Sequence, residues 1–181
     1  MDLRTVLVIL HALAASVGIG TVVITDYFVF NFLKDHKITK RESDTLALCS
    51  HVIWAALALL LLTGVVLVSL RPEMLASAKF QVKMVVVALL TLNGIVLNVY
   101  LTPRLRRIAF HAHVAPAKSL PDAVRKIAMA SGAISFVSWL TAFVLGSLRS
   151  IPMSFAQGVG LYAGVLAVIA LGASLTKKKR D

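Results

Sequence analysis

Residues 4–33, RTVLVILHALAASVGIGTVVITDYFVFNFL, are apolar for thirty positions yet carry two groups that hydrocarbon disfavours, His11 and Asp26. Four more apolar runs follow at 45–70, 78–101, 123–148 and 156–175. About 20 apolar residues in helical form cross a hydrocarbon core, so each run is long enough to span. Backbone groups in lipid must pair within their own segment, which predicts five α-helices. The expected fold is all-α: one polytopic transmembrane helical bundle of five spans over residues 1–181. A cleaved signal peptide is the rival reading of the first run. Only Val6 to Leu10 is unbroken before His11, and apolar residues continue for another twenty positions. The pattern therefore predicts a retained span.

Polar residues between the runs predict the boundaries. Asp44 is placed to cap the second helix and Ser77 the third. Pro103 is expected to end or kink the third, with 104–112 extending it as a short amphipathic piece. Ser119, before Leu120 and Pro121, suits the start of the fourth, where proline is tolerated in the first turn.

Composition agrees: 59% of residues are hydrophobic, against about 45–50% in ordinary soluble domains. The net charge of +11 does not point to nucleic acid, because the basic residues lie in short loops between the runs. They read as topology signals. Fourteen of the nineteen lie on one side: Lys34 to Arg41, Arg104 to Lys126 and the tail Lys177 to Arg180. Arg4, Arg71, Lys79 and Arg149 lie on the other, and Lys83 is within a span. Positive residues stay cytoplasmic, so the N-terminus is expected outside and the C-terminus in the cytoplasm, in a bacterial inner membrane. Cys49 is the only cysteine, so no disulfide forms within the chain.

Depth sorts the intramembrane polar groups. At about 1.5 Å per residue, His11 and Lys83 both fall roughly 10 Å outward of mid-span. Asp26 and His51 fall roughly 10–12 Å inward, and Asn98 joins them. His11 and Asp26 differ by about 60° in helical rotation, so one stripe of the first helix presents both, and Lys83 and Asn98 share the same spacing. Ionisable groups at such depth usually face a partner or water. Asp26, His51 and Asn98 are thus either a polar clasp between helices or a site for proton-coupled transport. Lys83 is also placed to snorkel to the headgroups.

The outer pair suits a cofactor. Imidazole is a good axial ligand for haem iron, and a deprotonated lysine amine also ligates. The small residues of HALAASVGIG, 11–20, would let a flat macrocycle lie close, and would equally serve helix packing. A bis-histidine site joining His11 and His51 is disfavoured, since their depths differ by roughly 20 Å. His36, His111 and His113 read as solvated loop residues. Ser131, Ser135, Ser138 and Ala142 form a small stripe for helix contact. Trp139, within the fourth span, either borders a ligand pocket or fills a gap. Gly160 and Gly164 form a GxxxG spacing that suits association within the bundle, with a second copy, or inside a larger membrane complex. No HExxH, Walker A, GxSxG or CxxC motif occurs, which removes the usual carriers of hydrolase, ATPase and thiol-redox chemistry.

The stretches HALAASVGIGTVVITDYF, FQVKMVVVALLTLNGIVLN and SGAISFVSWLTAFVLGSLR resemble an uncharacterised bacterial family of integral membrane proteins. More distantly, a histidine early in the first span with a lysine early in the third is similar to two other groups. These are the copper-resistance D-type membrane proteins and the haem-associated membrane protoporphyrinogen oxidases. The resemblance implies a shared bundle and a haem b pocket, with His11 as metal ligand and Lys83 as ligand or propionate partner; Trp139, by its position within the span, is the further candidate to border the cofactor. Departures are specific: TDYFVFNFLKD stands where the oxidases have an aromatic-rich segment and a Leu-Pro-Arg-Leu run. Phe80 stands where they have a tryptophan, and a fifth span is added. The oxidase activity itself is not implied. The function expected is a b-type haem-binding membrane protein with a redox role. The rivals are a small proton-coupled transporter using Asp26 and His51, and a non-catalytic subunit of a larger complex.

Overall fold

A computed structural model describes residues 2–32, 39–111, 121–148 and 152–178. The described residues form helices α1 (Leu3–Phe32), α2 (Lys40–Leu70), α3 (Ala78–Val96), α4 (Thr102–His111), α5 (Asp122–Ser147) and α6 (Phe155–Lys178). A 3₁₀ turn, Pro72–Ala76, joins α2 to α3, and a π turn, Leu97–Leu101, joins α3 to α4. Four stretches are long and apolar enough to cross a membrane: Leu3–Asn31, Lys40–Leu70, Ala78–Leu105 and Ala123–Ser147. In α6 the apolar part, Phe155–Ile169, is shorter. By length and composition these are the helices of a membrane protein. Below, "upper" denotes the end of the bundle at which α1 begins.

The boundaries show where local chemistry decides. Helix α2 starts five residues before the expected 45, because Thr39 and Glu42 form a capping box. Glu42 donates its backbone N–H to Thr39 Oγ1 at 3.2 Å, and Thr39 donates its N–H to Glu42 Oε2 at 2.7 Å. Two free donors are satisfied reciprocally, so Asp44 is left in the second turn and is not the cap. Ser77 does occupy the N-cap position of α3, but its side chain makes no capping bond. Pro121 is itself the N-cap of α5. At α6 a second box, Ser154 with Gln157, fixes the start. His111, expected in the loop, is the last residue of α4, and His36, His113, Ser119 and Arg180 lie outside the described residues.

Pro103 neither ends nor interrupts the third span. Proline has no N–H to give to the carbonyl four residues back. The preceding turn widens to the π form, in which Thr102 reaches back five residues with its backbone N–H, and with Oγ1 at 3.1 Å, to the Leu97 carbonyl. Arg104 then donates to the Tyr100 carbonyl at 2.8 Å and stacks 3.3 Å above the Tyr100 ring. Such widened turns absorb a local defect without breaking the helix.

Helix α5 is the hub. It packs against α1, α3 and α6, while α1 also packs on α2, and α4 closes the lower end against α2. Three apolar clusters stack along it. Leu101, Leu105, Val124 and Ala128 lie lowest. Val22, Ala56, Leu57, Leu90 and Trp139 fill the middle. Val82, Val86, Val137, Leu145 and Tyr162 join α3, α5 and α6 above. Of the serine stripe, Ser138 and Ala142 face this contact. Ser138 gives its proton to the Ile134 carbonyl at 2.6 Å, so the Tyr162 hydroxyl donates to Ser138 Oγ at 2.7 Å and ties α6 to α5.

Close approach between α1 and α5 rests on Gly18. A Cβ there would lie 2.6 Å from Cζ3 of the Trp139 indole, inside van der Waals contact. On α6 the close-packing glycine is Gly158, whose Cβ would meet Val82 at 2.6 Å. The GxxxG pair, Gly160 and Gly164, has open space around it instead. Gly18→Val is expected to lower stability by about 1–3 kcal/mol through overpacking, read by thermal denaturation in detergent. Combined with Trp139→Ala, the loss is expected to be smaller than the sum of the two single losses. Strict additivity would deny the contact.

Candidate functional site

His11 and Asp26 share one stripe of α1, whose buried members are Ala14, Gly18 and Val22. His11 sits one turn above Ala14 and is half-buried. Its Nδ1 lies 2.8 Å from Thr63 Oγ1 on α2. The Thr63 hydroxyl lies 2.7 Å from the Leu59 carbonyl of its own helix. With its one proton in that bond, its oxygen is placed to accept from Nδ1, and the Leu60 carbonyl is a second acceptor beside the ring. In its neutral form His11 is therefore the Nδ1–H tautomer, with the Nε2 lone pair uncommitted. Gly64 lies under the ring, a Cβ at that position falling 3.6 Å from His11 Cε1.

Lys83 of α3 lies in the same upper layer, within Coulombic range of His11 and of Lys79. Its Nζ comes 3.2 Å from where a Cβ on Gly146 would sit, one residue before the end of α5. Lys79 donates to the Leu148 carbonyl at 2.6 Å. Two ammonium groups thus meet the C-terminal end of α5, where free carbonyls carry partial negative charge. Lys83 both snorkels toward the upper end and stays near the imidazole.

Trp139 is 3% exposed, and its indole Nε1 has no hydrogen-bond partner among the described residues. A buried donor left unpaired costs about 1–3 kcal/mol, so this N–H is available to an acceptor. The ring itself covers Gly18. The small-residue stretch 11–20 is therefore not a bare surface along its length: an indole lies on its centre, and Gly20 faces open space.

The lower layer differs from the expected one. Asp26 is half-buried beside a cavity of about 80 Å³ and lies against Gly132 of α5. His51 and Asn98 are exposed, and neither lines that cavity. The expected group of Asp26, His51 and Asn98 is not assembled. Rotation explains both cases. Leu46 and Ile53 of α2 face the cavity, and His51, five residues after Leu46, is turned about 140° from it. Asn98 and Lys83 each follow a residue that packs inward, Leu97 and Val82. Both stand on the flank of that stripe. Lysine is long enough to reach in from there, and asparagine is not. The amide that does enter the bundle is Asn93, which donates from Nδ2 to the Ser131 carbonyl at 2.9 Å. Its signal was present in the spacing: Asn93 lies three residues after Leu90 and seven after Val86, on the buried stripe.

Among the described residues no group of three or more histidine, cysteine or acidic side chains forms a metal cluster. Comparison with known proteins returns no matching family model, no matching curated protein and no matching solved structure. The chemistry rests on the residues alone.

Nitrogen NMR on histidine-labelled protein checks the tautomer. In the neutral form, His11 is expected to be protonated at Nδ1, and Thr63→Val is expected to shift its population toward Nε2–H. An Nε2–H signal in the unaltered protein would contradict the geometry.

Proposed function

We propose that the protein is an integral membrane b-type haem-binding protein of the bacterial inner membrane. In this reading it has five spans, its N-terminus outside and its C-terminus cytoplasmic. The upper end of the bundle is then periplasmic, and the cofactor is held there, between the first and third spans. The observation that carries the reading is the His11–Thr63 bond. A ligating histidine characteristically donates its other ring N–H to an acceptor, which fixes the ring and leaves one nitrogen for the metal. Thr63 is such an acceptor, and Nε2 is the nitrogen left.

The donor set fits haem at His11. Lys83 and Lys79 supply positive charge in the same layer, suited to a propionate, and Lys83 is the second candidate ligand. The indole N–H of Trp139 is a donor without an acceptor. The flat surface at Gly18 does not fit, since Trp139 covers it, so a macrocycle would have to sit above that contact. Haem bound there would supply a one-electron iron centre, and a redox role for the protein follows from that chemistry. His11 would bind and orient it, Thr63 would hold the ring, and the α2 backbone at Gly64 would admit it. Distant resemblance to His/Lys bundles that associate with haem supports the same assignment.

Expression with ample haem, purification in detergent and a reduced-minus-oxidised spectrum test the reading. A Soret band is expected, lost in His11→Ala and with affinity lowered about 10–100-fold in Thr63→Val. No Soret band in the unaltered protein would overturn it. Orientation has its own check: a C-terminal reporter active only in the cytoplasm is expected to be active, and an inactive fusion would reverse the topology.

A further inference from the structure

Asp26 has surroundings unlike those of His11. Among the described residues no hydrogen bond and no ion pair reaches its carboxyl group. It opens on the cavity of about 80 Å³, which runs from the level of Ser135 and Ile53 down to Leu46 and Leu105 at the lower end. Helix α2 lines it with Leu46 and Ile53, the third span with leucines only, and α5 with Ala128, Gly132 and Ser135. No second titratable group lines it among the described residues. The nearest basic positions along the chain flank Leu105 and Ala128: Arg104, stacked on Tyr100, and Arg106 on one side, Arg125 and Lys126 on the other. Arg104, Arg125 and Lys126 are not part of the lining.

Two further observations make this a built site. The side chain of Ser135 also lacks a protein hydrogen bond among the described residues while lining the same cavity. Opposite the carboxyl, α5 carries glycine: a Cβ at Gly132 would stand 2.8 Å from Asp26 Oδ1. The carboxyl therefore rests on helix backbone, and any larger residue would expel it. Thr25 lies beside it and donates its proton to the Thr21 carbonyl at 2.7 Å, so its oxygen can only accept. A cavity needs about 10–15 Å³ and two to four polar partners to admit a water; this one has the volume, and Asp26, Thr25 and Ser135 are the polar partners it offers.

We propose that Asp26 is a proton-binding site, loaded by water through this cavity from the lower end of the bundle. Both protonation states are provided for. Ionised, the carboxylate accepts from cavity water and from the Ser135 hydroxyl. Protonated, it donates its O–H to an oxygen of Thr25, Ser135 or water. The proton comes from water at the lower face and returns to it, with no other bond made or broken. A metal cation is served less well: four side-chain oxygens, two from Asp26 and one each from Thr25 and Ser135, in an otherwise apolar lining are few against the six or more that hard cations take. Ionisable groups inside a membrane mark proton and ion routes. This assignment does not rest on haem, and its test needs none.

The test uses the unaltered protein in liposomes, treated with a hydrophobic carbodiimide, which modifies carboxyl groups in their protonated form. Mass spectrometry after digestion reads the site. Modification of Asp26 is expected at acid pH, falling at least tenfold toward alkaline pH, with exposed Asp44 as the internal comparison. Ser135→Ala is expected to move the midpoint of that pH profile, and Asp44→Asn to leave it in place. Absence of modification at Asp26 across the pH range would overturn the proposal, as would an unmoved midpoint in Ser135→Ala. Protection by sodium at constant pH would assign the site to a metal cation and overturn it equally.

Discussion

The rotation of α1 about its own axis governs what this bundle can do. One contact sets it, the Trp139 indole seated on Gly18. Hydrocarbon offers no hydrophobic drive between helices, so close packing over a small residue does the work that water does elsewhere. With Gly18 turned to α5, every other polar residue of α1 has its direction assigned. A straight helix drifts about 60° over the fifteen residues between His11 and Asp26. The drift is enough to aim the imidazole at α2, where Thr63 receives it, and the carboxyl at α5, where Gly132 makes room. One apolar stripe thereby serves two neighbours at two depths.

The same helix treats its two polar groups in opposite ways. His11 is bound: its ring is held by a hydroxyl whose own proton is already committed to the Leu59 carbonyl. Such a chain of bonds has one direction, and the direction decides which nitrogen is free. Asp26 has no hydrogen-bond partner among the described residues, resting on backbone and facing a cavity. A fixed ring suits ligation, where geometry must be held. An unpaired carboxyl beside a cavity suits exchange, where the partner must come and go.

Much of the fold was legible in the residues. Lipid imposes long apolar runs, and those at 4–33, 78–101 and 123–148 reappear as α1, α3 and α5 within a few residues. Depth was legible too, because rise per residue is constant, and it placed Lys83 near the level of His11. Rotation was not legible for α2 and the end of the third span. His51 has the right depth and the wrong face. A helix surrounded by lipid and protein alike is apolar on all sides, so no polar face announces which way it turns. On α1 the small residues Ala15, Gly18 and Val22 between His11 and Asp26 gave the face to within a residue, Ala14 being the one that is buried, and on α2 nothing comparable did. The start of α2 was readable from Thr39 and Glu42, whose capping-box spacing precedes the apolar run. The π turn was not, since proline usually reads as a stop.

Small residues carried two meanings that the chain alone does not separate. Gly160 and Gly164 have the spacing of a helix-packing motif but face open space, whereas Gly158, outside that pair, takes the contact with Val82. A glycine marks close approach only when a large neighbour arrives opposite, and that neighbour lies far away in sequence. Trp139 shows the converse. It was a candidate because an aromatic in mid-span needs a reason, and the reason lies 121 positions earlier, at Gly18. Packing consumes the ring but leaves Nε1 without an acceptor. A side chain that completes the fold with its carbon surface can still offer its one polar atom to a ligand.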